Sequence, residues 1–104
     1  MFRDLTIREV RCETTQAVVI TFDVPDAAAA DFAWLPGQYL TLRDTVGGQD
    51  VRRSYSIASL PGKPLSVGVK QLEGGVFSPH CQRLKAGDML RVMPPEGRFT
   101  PHGE

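Results

Sequence analysis

Alternating apolar and polar positions predict β-strands along most of the chain. In residues 18–24, Val18, Ile20, Phe22 and Val24 occur at every second position, and the segment is rich in β-branched side chains. A period of two with this composition is typical of a strand that has one buried face. Similar patterns predict five further strands, at residues 5–12, 38–43, 51–59, 65–71 and 89–93.

Proline and glycine residues separate these predicted strands. Pro25 ends the second strand because proline cannot donate a ladder hydrogen bond. Residues 26–34 form an alanine-rich segment that is predicted to be a loop with one helical turn, and 77–84 is the only predicted α-helix. Turns are predicted at 36–37, 47–48 and 61–64. Six short strands with one helix favour a sandwich or barrel, since a parallel nucleotide-binding sheet needs helices between its strands.

Composition and charge narrow the possible functions. The 104 residues suffice for one domain, and 41% hydrophobic and 23% charged residues are ordinary for a soluble one. Twelve basic and twelve acidic side chains give no net charge, which argues against a nucleic-acid binder that acts through bulk charge. No apolar run approaches the ~20 residues of a membrane span. Residues 1–5 lack a secretory signal pattern. A cytoplasmic location is therefore expected.

The cysteine and histidine residues do not suggest a metal site. Cys12 and Cys81 are far apart, form no CxxC pair and cannot supply the four thiolates of an iron–sulfur cluster. His80 and His102 have no metal-ligand spacing. Two buried or half-buried free thiols are the favoured interpretation, and a disulfide or a catalytic cysteine remains as an alternative.

The segment Arg53-Ser54-Tyr55-Ser56 combines side chains that suit a nucleotide. The guanidinium fork of arginine fits phosphate oxygens, and a tyrosine ring suits a flat heteroaromatic group. Arg53 and Tyr55 are two positions apart, so in a strand they share a face and could hold one ligand at two places. Ser56 points to the opposite face, although a strand bend would let its hydroxyl take part. An exposed strand arginine beside a core tyrosine is the alternative.

Gly74-Gly75 directly precede the predicted helix. Glycine lets the backbone approach an anion closely, and the unpaired N–H groups of a helix start attract one. Ser78 either caps the helix or bonds a phosphate oxygen, and these roles are compatible. A simple loop turn remains the alternative. Lys70 either is solvated at a strand end or screens the charge of a ligand, and the backbone of 68–70 could bond the polar edge of a flat ring. Together with the arginine–tyrosine pair, these features suggest a flavin nucleotide.

Five motifs together resemble the flavin domain of the ferredoxin–NADP reductase superfamily. They are Pro36-Gly37-Gln38-Tyr39, Arg53 to Ser59, Gly68-Val69-Lys70, Gly75-Val76-Phe77-Ser78 and Pro94-Pro95-Glu96-Gly97-Arg98-Phe99. Their order and rough spacing agree along nearly the whole chain. The resemblance implies an all-β fold, a six-stranded antiparallel Greek-key barrel with one short capping helix, formed as a single FAD-binding domain by residues 1–104.

The resemblance also implies a cofactor and a role for each motif. The cofactor is FAD, with FMN left open because no aromatic side chain is obvious for stacking on adenine. Arg53 is placed on the pyrophosphate, Tyr55 on the isoalloxazine ring and Ser56 near flavin N5, so Tyr55 and Ser56 are the expected catalytic residues. The expected cofactor-binding residues are Arg53, Ser54, Tyr55, Ser56, Gly68, Val69, Lys70, Gly75, Val76, Phe77 and Ser78, with Tyr39 as a further candidate.

For the complete protein, the resemblance implies an FAD-dependent NAD(P)H oxidoreductase. Hydride passes from NAD(P)H to the flavin, and single electrons then pass to an iron–sulfur centre that feeds an oxygenase. The expected partners are a nicotinamide-binding domain, a ferredoxin-type domain or protein with a two-iron cluster, and an oxygenase component, with no nucleic acid and no membrane. The first two domains are not expected within residues 1–104, so this chain alone is not expected to turn over.

Two other functions are compatible with the sequence. The first is a flavin-binding module without redox catalysis. The second is a small OB-like interaction barrel whose arginine and aromatic side chains contact nucleic acid, although the neutral charge counts against it.

Overall fold

The computed structural model describes residues 2–70, 77–81 and 83–97. The described residues form six strands and one α-helix, so the predicted all-β fold with a single helix is confirmed. A 3-10 helix at Asp26–Ala28 lies in the alanine-rich segment, where the sequence predicts one helical turn. The strands are β1 (Arg3–Thr14), β2 (Ala17–Asp23), β3 (Tyr39–Val46), β4 (Gln49–Ser56), β5 (Ser66–Lys70) and β6 (Met89–Val92), and the helix is α1 (Phe77–Cys81).

The strands form one antiparallel sheet in the order β4-β3-β6-β1-β2-β5. The last strand in sequence, β6, therefore lies between β1 and β3, as a Greek-key connection requires. The two edge strands approach each other at the isolated bridge between Ile57 and Val67. Beside it, the Ala58 N–H donates to the Ser66 carbonyl at 2.8 Å. In the described part of the chain, β4 and β5 thus meet at one point, and the barrel is open where they separate.

The hydrophobic core lies on one face of this sheet. Apolar residues at alternate positions of each strand point to it, and the interior is closed by Ala28 and Phe32 from the loop after β2. Burying one such Leu, Ile or Phe side chain contributes on the order of 1.5–3 kcal/mol. The largest fully buried side chains are those of Phe22, Leu5, Ile7, Ile20, Leu40, Leu42, Leu65 and Leu90.

A glycine turn sets the register of the β3–β4 hairpin. Gly47 and Gly48 have φ angles of 58° and 80°, the left-handed conformation that a two-residue hairpin turn requires. This confirms the predicted turn. The register pairs Leu40 with Tyr55 and Leu42 with Arg53. A slip by one residue would move both β4 side chains to the other face, so the turn determines where Arg53 and Tyr55 lie.

The helix α1 is shorter than the sequence pattern indicates. It ends at Cys81 instead of residue 84. If Ser78 capped the helix, Pro79 would be its first residue, but Pro79 is the third. Proline is still tolerated there, because the first four N–H groups of a helix have no intrahelical acceptor. No helix among the described residues is long and apolar enough to cross a bilayer.

Candidate functional site

Arg53 and Tyr55 lie on the core side of β4, at the edge where the barrel is open. Residues directly opposite each other in an antiparallel pair share a face, and their partners Leu42 and Leu40 are fully buried. Tyr55 is nevertheless only half-buried, and Arg53 is exposed. At these two residues the inner face of β4 is therefore no longer fully covered. The two side chains share one face, as the sequence predicts.

Tyr55 lies close to the Arg53 guanidinium and the Cys81 sulfur. The pKa of its phenol is raised to about 12, mainly by burial and also by Cys81, against the lowering effect of Arg53. The phenol thus remains neutral at physiological pH. Because the ring is only half-buried, its exposed part can contact a flat ligand.

Among the described residues, the guanidinium of Arg53 leaves most of its donors available for an anion. Its Nη1 donates to the backbone carbonyl of Arg52 at 2.6 Å. That bond uses one of the five N–H donors of an arginine side chain. The remaining fork can accommodate phosphate oxygens in the bidentate geometry that such groups prefer.

The two serines of the motif lie on the opposite, outer face of β4. The Ser54 hydroxyl is hydrogen-bonded to the Thr41 hydroxyl at 2.9 Å. Ser56 is exposed, pairs with Tyr39 and is the last residue of the strand. Ser54 would reach a ligand on the inner face only through its backbone. A contact from the Ser56 hydroxyl requires the chain to turn at the rim of the barrel, and it stays a prediction.

The candidate residues of β5 differ in whether a ligand can reach their side chains or only their backbone. The side chain of Val69 is fully buried in the core, so only its backbone can meet a ligand. Gly68 and Lys70 are exposed. A β-carbon added at Gly68 would meet no atom within 4 Å, so the surface beside this glycine is open.

The backbone groups of β5 are directed towards β4. Ser66 donates its N–H to the Ser59 hydroxyl at 3.0 Å and accepts a bond from Ala58 with its carbonyl. Direction alternates along an antiparallel strand, so the backbone groups of Gly68 and Lys70 point the same way. The polar edge of β5 and the inner face of β4 thus border the same gap.

The helix α1 packs against both β4 and β5 and borders the gap from one end. Its His80 is hydrogen-bonded through Nε2 to the Asp44 carboxylate of β3 at 2.7 Å. Gly75 and Val76 lie outside the described residues, and of Phe77 and Ser78 only the backbone is described. The predicted phosphate-binding glycine turn therefore remains a prediction.

Cys81 is not a reactive group in this site. The pKa of its thiol is raised to about 12, mainly by burial and also by the Asp44 carboxylate. A thiol that stays protonated is a poor nucleophile. Both cysteines are free, as the favoured interpretation predicts, and Cys81 is buried. The expectation of burial is wrong for Cys12, which is exposed on β1.

Gln38 joins two of the quoted motifs, a role that the sequence pattern does not reveal. Its Oε1 accepts the Leu35 N–H at 2.8 Å, and its Nε2 donates to the Gly97 carbonyl at 2.8 Å. Next to it, Tyr39 and Glu96 exchange two backbone hydrogen bonds of 2.9 and 3.0 Å. The start of β3 is thereby fixed to the segment after β6. Since 59 residues separate Gln38 from Gly97, no local signal could have indicated the contact.

Gly97→Ala is expected to destabilise the chain more than Gly62→Ala does. Both glycines have positive φ angles, 98° and 91°, so either alanine incurs backbone strain of about 1–2 kcal/mol. Only at Gly97 would the new β-carbon also lie 3.0 Å from ring carbons of Tyr39. Urea denaturation of the two variants measures the difference. Equal losses of unfolding free energy would show that the Tyr39 contact is unimportant.

Comparisons with known proteins identify the family. The family described as "Oxidoreductase FAD-binding domain" matches residues 4–100. The chain is 44% identical over 101 residues to one subunit of the 1,2-phenylacetyl-CoA epoxidase of Escherichia coli, covering 94% of the chain and 28% of the relative. Residues 92–100 on their own already resemble the reductase subunit of that epoxidase system, and the comparison confirms this more specific prediction.

A second relative supports the same family. The ferredoxin reductase component of 3-ketosteroid-9-alpha-monooxygenase from Rhodococcus rhodochrous is 42% identical, with 93% of the chain and 29% of the relative covered. The chain thus spans less than a third of the length of these relatives.

A solved structure supports the same fold. A ferredoxin NADP+ reductase from Neisseria gonorrhoeae, crystallised with FAD and NADP, superposes with a TM-score of 0.81 over 97% of the chain and 40% of that protein, at 19% identity. The chain therefore belongs to the oxidoreductase FAD-binding domain family, within the ferredoxin–NADP reductase superfamily.

Proposed function

We propose that the chain binds FAD in the gap between β4 and β5, with Arg53 on the pyrophosphate and Tyr55 on the isoalloxazine ring. The main support is the placement of these two side chains on one face at the open edge of the barrel. A cation and a flat apolar surface side by side match the two chemically different parts of a flavin nucleotide.

The other predicted site residues fit around this arrangement. The backbone groups of Gly68 and Lys70 face the gap and suit the polar edge of the ring, and Val69 can contribute its backbone. Ser56 at the rim would approach flavin N5. Gly75 and the residues that follow it, Val76, Phe77 and Ser78, would surround the pyrophosphate beside α1, as the family resemblance implies. Ser54 contributes its backbone only.

In the complete protein, we propose that the site relays electrons from NAD(P)H to an iron–sulfur centre that serves an oxygenase. A bound flavin supplies the chemistry by accepting a hydride and releasing electrons singly. The residues of this chain bind it, orient it and limit the access of water. Two relatives support this role through their names, one as part of an epoxidase and the other as the ferredoxin reductase component of a monooxygenase. The nicotinamide-binding and ferredoxin-type partners belong to the proposal.

Purification of the chain tests cofactor binding directly. A yellow protein that absorbs near ~450 nm is expected, since this is a general property of flavins. Mass spectrometry of the released cofactor should give FAD, whereas FMN would correct the choice of nucleotide. A chain that stays colourless when FAD is supplied, and is retained on single-stranded DNA, would favour the OB-like interaction barrel.

A chimera tests the redox function separately. Joining the chain to the nicotinamide-binding part of the 44%-identical epoxidase relative should allow NADH or NADPH to bleach the flavin under anaerobic conditions. The matched control is the same chimera with Arg53→Ala, which is expected to retain less flavin. A chimera that holds FAD but is not bleached by either nucleotide would support a flavin-binding module without redox catalysis.

A further inference from the structure

We propose that His80 is a positioning residue for FAD binding, because it holds the Asp44 carboxylate away from Arg53. Arg53 then keeps its guanidinium available for the pyrophosphate. This inference rests on the proposed function, since it concerns the same site.

The contact between His80 and Asp44 is short and partly shielded from solvent. His80 Nε2 lies 2.7 Å from Asp44 Oδ2, with the two side chains 19% and 27% exposed. An ionised carboxylate can only accept hydrogen bonds, so the hydrogen is on Nε2 and His80 donates it. Partly buried pairs are screened less by salt than exposed pairs are. The bond therefore keeps the Asp44 carboxylate engaged with His80.

Asp44 is placed to compete for Arg53. The β3–β4 register pairs Asp44 with Val51 and Leu42 with Arg53, which makes Asp44 a diagonal neighbour of Arg53 on the same face. Diagonal neighbours have β-carbons about 7–8 Å apart, within reach of a long side chain. Yet Arg53 donates to the Arg52 carbonyl, and no ion pair joins it to Asp44 in the part of the chain that is described.

An unmasked Asp44 would weaken binding in two ways. Its negative charge would repel the pyrophosphate, and its oxygens would capture the guanidinium that the pyrophosphate needs. The charge of Asp44 already reaches the site, since it adds to the effect of burial in raising the pKa of the Cys81 thiol. His80 therefore improves anion binding without touching the anion.

A double-mutant cycle on the 104-residue chain distinguishes this role from simple anchoring of α1. FAD is titrated into His80→Ala, Asp44→Ala and the double variant, and affinity is measured by flavin fluorescence. We expect His80→Ala to raise the Kd about tenfold, the cost of one charge interaction. Asp44→Ala removes both the charge and the hydrogen-bond acceptor. It should change the Kd by at most about threefold, and the double variant should recover to within about threefold of the wild type.

Anchoring alone predicts the opposite pattern. If the bond only held α1 in place, removing either partner would weaken binding equally, and the double variant would bind no better than His80→Ala. That result, or unchanged binding by His80→Ala, would overturn the inference. Thermal unfolding is followed in parallel. If His80→Ala does not fold, Asp44→Ala is sufficient as a test, because masking predicts retained FAD binding and anchoring predicts its loss. A wild-type chain that binds no FAD would instead refute the proposed site.

Discussion

Replacing Arg53 with alanine is expected to weaken FAD binding by roughly 10- to 150-fold. The side chain lies on the open inner face of β4 and commits one of its donors to the Arg52 carbonyl. Charge-assisted hydrogen bonds to a phosphate contribute about 1.5–3 kcal/mol, and 1.4 kcal/mol corresponds to a factor of ten. Because Arg53 is exposed, its removal should leave the unfolding free energy nearly unchanged. Fluorescence titration with FAD and urea denaturation measure the two effects.

Arg52→Ala is the matched control for this experiment. Arg52 precedes Arg53 in β4 and pairs with Arg43, so its side chain lies on the outer face, where it contacts the Phe2 ring at 5.6 Å from the centroid. The substitution removes the same charge from the same strand without removing a group from the gap. Similar losses of affinity in both variants would show that net charge is responsible, and would contradict a direct contact between Arg53 and the pyrophosphate.

The strands can be predicted because each one buries a single face. In β2, Val18, Ile20 and Phe22 are almost fully buried, and this produces the period of two seen in the sequence. Strand ends are predicted less accurately. The sequence pattern places the fourth strand at 51–59, but β4 is Gln49–Ser56, because Gly47-Gly48 form the hairpin and Ile57 forms an isolated bridge to β5. The apolar pattern does not distinguish a ladder from such a bridge.

The common face of Arg53 and Tyr55 can also be predicted, because spacing alone determines it. Spacing does not show which face is the core face, since that depends on the pairing with Leu42 and Leu40 of β3. The placement is unusual for an arginine, and it is tolerated because the barrel is open beside β4. Whether Arg53 and Tyr55 can bind a ligand together therefore depends on the strand topology, and a local sequence pattern does not reveal that topology.

Long-range side-chain bonds are beyond sequence reasoning altogether. His80 and Asp44 are 36 residues apart, and neither stands in a recognisable motif. From the sequence, His80 can be considered only as a possible metal ligand. Its contact arises because α1 packs against β4 and β5, which brings His80 to the side chain of Asp44 on β3. Such contacts become visible only after the strands are assembled.

The Gly68→Val variant is expected to gain stability and lose affinity for FAD. Glycine within a strand costs about 0.5–1 kcal/mol compared with a residue that has a side chain. At Gly68 a β-carbon would have room, and φ is not in the left-handed region, so the fold itself does not require glycine. A strand glycine without such a requirement often marks a place where a ligand approaches the backbone closely. The β-carbon of a valine there would point to the outer face, next to the backbone groups that border the gap, so its branched side chain would crowd the polar edge of a flavin bound to those groups. Overpacking of about 1–3 kcal/mol corresponds to roughly 5- to 150-fold weaker binding.

Arg11→Val provides the control for this prediction. Arg11 of β1 pairs with Val19, which in turn pairs with Gly68, so the three residues form one row across the outer face of the sheet. Valine at Arg11 also adds a strand-favouring side chain at an exposed position, but two strands away from the gap. We therefore expect Arg11→Val to bind FAD like the wild type. If Gly68→Val is more stable and still binds FAD normally, the ligand does not approach this part of β5, and the backbone contacts proposed for Gly68 are wrong.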